Sequence, residues 1–170
     1  MSVTAHNYVY KDSSQHSEDF LNGVRCLKSG LNGEAKRYFQ LAYESVNNGD
    51  VYHNKYASFC GLLRVLHGDP GGLTLCRDAA LSEILDGDVF LNLARAEWFY
   101  DSRKRTVSAI LDGLDIDNKH MGLCQMRKDL GVRARTPVPW LSRENVLNVL
   151  IGKLLRKKDS LWEGDYPFRF

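Results

Sequence analysis

The feature that most constrains this chain is the spacing of its apolar residues, which recur every three to four positions from Phe20 to Ile116. Phe20, Leu21, Val24 and Leu27 form one stripe, and Ala35, Phe39, Ala42 and Val46 form the next. Tyr52, Tyr56, Phe59, Leu63 and Leu66 follow, then Leu73, Cys76, Ala80 and Ile84. Phe90, Leu93 and Ala94 open another, and Val107, Ile110, Leu111 and Leu114 another. This spacing places side chains on one face of a helix with 3.6 residues per turn. No stretch alternates with period two, as a half-buried strand would. The stripes are separated by short segments rich in Gly or Asp: Gly30–Gly33, Gly68-Asp69-Pro70-Gly71-Gly72 and Asp86-Gly87-Asp88. The expected fold is all-α, built of short helices joined by short turns.

Composition narrows the class further. Hydrophobic residues make up 44% and charged residues 26% of the 170 positions, near the globular average, which excludes wholesale disorder and collagen-like or coiled-coil chains. No run approaches the length of a membrane-spanning helix. Met1–Ser17 has no apolar stretch, so a cytoplasmic chain without a secretory leader is expected, with residues 1–15 as a flexible arm. The four cysteines Cys26, Cys60, Cys76 and Cys124 form no CxxC pair and read as small buried side chains. The five histidines are scattered without zinc spacing, so no metal and no cofactor is expected.

Charge is unevenly spread. The net charge is only +2, yet Asn118–Lys158 holds ten basic residues against Asp129 and Glu144. Arg133, Arg135, Arg143, Lys153, Arg156 and Lys157 form a candidate basic patch. A solvated polar face is the plain explanation; an acidic or nucleic-acid partner, or an anionic surface, is the functional one.

The small residues also recur. Counted from His16 as position 1, Gly23 falls at 8, Gly30 at 15, Ala35 at 20, Phe39 at 24 and Ala42 at 27. Counted from Gly87, Phe90 falls at 4, Leu93 at 7, Ala94 at 8 and Ile110 at 24. A middle unit begins near Asp50, with Ala57 at 8. This pattern resembles the tetratricopeptide repeat (TPR), a helix hairpin of about 34 residues with small side chains at 8, 20 and 27 and an aromatic at 24. The physical reason is close approach: small residues let neighbouring helices cross, and the aromatic fills the space left between them. Cys26, Cys60 and Glu97 stand where the family usually has Tyr, and no Pro occupies position 32.

The resemblance implies a right-handed superhelical stack of three hairpins over residues 16–118, a TPR-like α-solenoid, closed by basic capping helices over 119–158 and followed by an aromatic-rich tail at 159–170. It also implies a concave groove for a polypeptide, lined by the first helix of each hairpin. On this chain the groove positions include Phe20, Val24, Leu27 and Lys28, then Asn54, Ser58 and Leu62, then Leu91, Asn92, Arg95, Trp98 and Phe99. Lys28, Asn54, Ser58, Asn92, Arg95 and Trp98 are the candidate peptide-binding residues. Asn can pair with a peptide amide, Arg can grip a carboxylate and Trp supplies apolar surface.

No Walker loop, GxGxxG or GxSxG is present, and the acid pairs Asp86/Asp88 and Asp115/Asp117 read as helix caps and turns. No catalytic residue is assigned. The expected function is a non-enzymatic adaptor or chaperone-like scaffold that binds a protein or peptide segment. Two alternatives stay open. One is a peripheral binder of nucleic acid or anionic surface through the basic region. The other is a homo-oligomerisation module that pairs through the apolar stripe Val146–Leu155 or the tail Trp162–Phe170, giving a homodimer.

Overall fold

Local chemistry sets where the helices begin and end. The Ser17 hydroxyl accepts a hydrogen bond from the Phe20 N–H and starts α1 (Glu18–Lys28), whose first turn carries Glu18 and Asp19 against the helix dipole. A computed structural model of the protein describes residues 16–131, and among these it contains seven helices and no strand. After α1 come α2 (Asn32–Glu44), α3 (His53–Leu66), α4 (Gly71–Ser82), α5 (Gly87–Phe99), α6 (Arg103–Ile116) and α7 (Met121–Asp129). The fold class read from periodicity, all-α, is what the described residues adopt. Residues 1–15, the basic segment 132–158 and the tail 159–170 lie outside the described residues.

Two boundaries differ from the sequence reading. The turn expected at Asp69–Gly72 ends sooner, because Gly71 and Gly72 already belong to the first turn of α4. The reason is contact. A Cβ on Gly72 would strike the Gly61 carbonyl and lie 2.8 Å from the Val65 nitrogen, so α3 and α4 cross backbone to backbone there. The capping region expected over 119–158 does not open on a helix at once: α7 starts at Met121, since Asp117–His120 closes a turn and His120 takes the cap position.

Each helix packs on the next, and α5 additionally touches α3 and α7. Rings join α1 to α3: Phe20 stacks on Tyr56 at 4.6 Å and meets Phe59 edge-on at 5.2 Å. One core cluster gathers Phe20, Phe39, Tyr56, Leu62, Leu63 and Cys76. A second gathers Ala57, Val89, Phe90, Ala94, Ile110 and Leu123. Phe39 is fully buried, a burial worth about 2–3 kcal/mol. Its ring lies directly over Gly23, where a Cβ would sit 2.8 Å away. Ala57 and Ala94 are also buried.

The odd-numbered helices begin at Glu18, His53, Gly87 and Met121, spaced 35, 34 and 34 residues apart. Their N-terminal ends, from His16 to His120, border one cleft.

Candidate functional site

The cleft has a volume of about 820 Å³. One wall is the turn before α3 and its first residues, Asn48 to Lys55. The end of α4 with the loop Glu83–Leu85, the first turn of α5, Asp117 and His120 complete the lining. Ala57, Leu75 and Ala79 supply apolar lining.

The sequence builds these walls by capping. Asp86 is the N-cap of α5 and accepts from the Asp88 N–H at 2.9 Å. A single oxygen of Glu83 accepts from three consecutive backbone N–H groups, those of Ile84, Leu85 and Asp86, and so fixes the loop that joins α4 to α5. His120 is the N-cap of α7, its Nδ1 accepting from the Leu123 N–H.

Within the cleft, side chains from three helices form a charged chain. The Lys55 ammonium lies 3.0 Å from Asp86 and 2.9 Å from Asp88, and Asp88 also meets His120 Nε2 at 3.0 Å. Because Nδ1 of His120 accepts, its ring proton sits on Nε2 and is donated to Asp88. Burial alone would lower the Lys55 pKa, but the carboxylates of Asp88 and Asp86 outweigh it and hold the ammonium protonated well above its usual range. Burial alone would raise the Asp88 pKa, but the His120 hydrogen bond and the Lys55 charge outweigh it and hold the carboxyl well below its usual range. Near this cluster His16 rests on Tyr52 at a ring distance of 4.3 Å, and its Nδ1 is 3.2 Å from the Tyr56 hydroxyl. Burial and then Lys55 lower the His16 pKa.

This geometry limits the chemistry. A general base needs a free nitrogen within reach of substrate, and both nitrogens of His120 are engaged. A nucleophilic lysine must shed its proton, and Lys55 is locked as a cation. The position a metal would take between Asp86 and Asp88 is filled by the same ammonium. The cluster therefore acts as a clamp that ties α3, α5 and α7 together where they line the cleft.

The candidate residues named from sequence are dispersed. Asn54 is half-buried and lines the cleft. Ser58 and Asn92 are in the interior, where the Asn92 amide donates to the Ser58 hydroxyl at 3.1 Å and Ser58 donates to the Lys55 carbonyl. Asn92 is only 1% exposed, so Asn54, Asn92 and Arg95 do not share an open surface. The physical reason is the α3–α5 crossing, which turns both polar groups toward each other. Phe20, Leu27, Leu62 and Leu91 are core residues. Arg95 is half-buried, while Lys28 is exposed and Trp98 is 44% exposed, and none of the three lines the cleft. The basic-patch residues Arg133, Arg135, Arg143, Lys153, Arg156 and Lys157 lie outside the described residues.

Lys55, Glu83, Asp88, His120 and the His16–Tyr52 pair were not singled out as one site by sequence reasoning. One signal could have found them: the cap positions Ser17, Tyr52, Asp86 and His120 fall 35, 34 and 34 residues apart. Among the described residues no helix is long and apolar enough to cross a membrane. No protein-family model, curated protein or solved structure matches the chain.

Proposed function

We propose that this chain is a non-enzymatic interaction module of TPR type, an adaptor or chaperone-like scaffold, that holds a segment of another polypeptide in the cleft along the starts of α1, α3, α5 and α7. The observation that carries this reading is the cleft itself. It is open and bordered by successive helix starts, and it exposes large aliphatic side chains beside polar ones, with Ile84 59% and Leu85 42% exposed. Mixed apolar and polar concave surfaces suit polypeptide segments. The 34-residue spacing of α3, α5 and α7 supports the repeat reading, as does the ring of Phe39 over Gly23.

The site differs from the groove implied by the resemblance. It runs along the N-terminal ends of the odd helices, and of the six candidate residues it takes in Asn54 alone.

The test is site-specific photo-crosslinking in the native cell. A benzophenone side chain at Ile84 is expected to capture a discrete polypeptide, and the same group at Leu31, the exposed N-cap residue of α2 outside the cleft lining, is expected not to. Equal adducts at both positions, or none at Ile84, would overturn the reading.

A further inference from the structure

The cleft is electrostatically one-sided. Six carboxylates line it, those of Asp50, Asp78, Glu83, Asp86, Asp88 and Asp117, against one lysine and no arginine. That lysine is already neutralised by Asp86 and Asp88. The other four acids have no cation among the lining residues, and in Asp50, Glu83 and Asp117 one carboxylate oxygen accepts from backbone N–H groups of its own turn. Helix ends of both signs border the cleft, since α3 starts there with no side-chain cap. The end of α4, at Asp78, Ala79 and Ser82, and the cap of α6, Asp117, are among the lining residues. The positive starts of α5 and α7 are covered by their own caps, Asp86 and His120.

The cleft also offers places for what accompanies a cationic side chain. Val51, Ile84 and Leu85 are exposed aliphatics on its walls, suited to the methylene stems of Lys or Arg. The rings of His16 and Tyr52, tilted against each other with centroids 4.3 Å apart, are among the lining residues and supply aromatic surface of the kind on which a guanidinium or ammonium settles. The Nδ1 of His53, in the same wall, is buried and has no hydrogen-bond partner. A focused negative field in a concave site raises the local concentration of cationic ligands and speeds their capture.

We propose that the segment held in this cleft is a basic, amphipathic stretch of a partner polypeptide, with Lys or Arg side chains meeting Asp50, Asp78, Glu83 and Asp117 and aliphatic side chains meeting Ile84 and Leu85. This rests on the polypeptide-binding reading and adds its chemical class. A nucleic acid or an acidic tail would meet repulsion along the whole cleft.

The test uses the full chain and three labelled peptides of one length, built from Leu-Lys-Lys, Leu-Glu-Glu and Leu-Gln-Gln repeats, with binding read by fluorescence anisotropy. The lysine peptide is expected to bind, to weaken as salt is raised, and to weaken by about tenfold on Asp78→Lys. Asp78 is exposed on α4, so this variant leaves the core intact. Glu44→Lys, the same charge change on α2 outside the cleft, is expected to leave binding unchanged. If the glutamate or glutamine peptide binds in an Ile84-dependent way and the lysine peptide does not, the basic class is wrong while polypeptide binding stands. If none of the three binds, the polypeptide reading falls and takes this inference with it. If the lysine peptide binds only after Arg156→Gln and Lys157→Gln, the occupant is this chain's own basic segment, and the partner assignment is overturned.

Discussion

Lys55 on α3 and Asp88 on α5 meet at 2.9 Å, and through Asp88 the contact continues to His120 at the start of α7. The three helices begin 34 residues apart, so one chain of ion pairs and a hydrogen bond ties the N-terminal ends of α3, α5 and α7. Lys55 is mostly buried while the two aspartates are about one-third exposed, which places the cluster between the surface and interior limits for ion pairs.

Removing the lysine should therefore cost moderate stability. Lys55→Met leaves two half-buried carboxylates facing each other and is expected to destabilise by about 1–2 kcal/mol. Urea unfolding midpoints would show it. In Lys55→Met/Asp88→Asn part of the loss should return, because the repulsion between the aspartates is gone. Strict additivity of the two changes would mean the pair is not coupled.

Two glycines separate close approach from simple helix preference. Gly72→Ala puts a Cβ against the Gly61 carbonyl and the Val65 nitrogen, backbone atoms that cannot swing aside. A loss of about 1–3 kcal/mol is expected, typical of overpacking. Gly33→Ala, inside α2 with nothing within 4 Å, should stabilise by about 0.5–1 kcal/mol. Thermal unfolding of the two variants side by side checks the opposite signs.

Stability should also depend on pH through His16. Burial and Lys55 lower its pKa, while Asp86 and Asp88 pull weakly the other way. The unfolded chain then takes up a proton below the ordinary value of 6.5 that the folded chain resists. The contribution of His16 is complete above that value and is lost as pH falls below it. Going from about pH 7.5 to about pH 5.5 should lower the melting temperature, and His16→Gln should make the drop smaller. An unchanged pH dependence in the variant would assign the titration elsewhere.

Thiol reactivity should divide the cysteines into two pairs. Burial pushes the Cys60 thiol up to about 11 and the Cys76 thiol up to about 12. Both are buried, whereas Cys26 and Cys124 are half-buried. A thiol reagent at neutral pH should modify Cys26 and Cys124 first and reach Cys60 and Cys76 only on unfolding, as peptide mass mapping would show.

The sequence by itself determined the helices, because the 3.6-residue spacing of Phe20, Val24 and Leu27, or of Val107, Ile110 and Leu114, is a short-range property that each segment carries alone. It also marked the small residues whose approach the core uses, Gly23 under Phe39 and Ala57 and Ala94 inside α3 and α5. It did not determine which polar groups would face solvent. Ser58 and Asn92 were polar residues at groove positions, and the crossing of α3 with α5 bonded them to each other in the interior.

Only the tertiary structure decided the cleft. Lys55 and Asp86 look like an ordinary surface lysine and an ordinary cap when read along the chain, and His120 like a scattered histidine. Helix packing brings them together with Asp88 from three separate elements. The physical reason is range: helix formation is settled by neighbours within a turn or two, whereas an electrostatic site depends on charges that adjoin only after the helices dock.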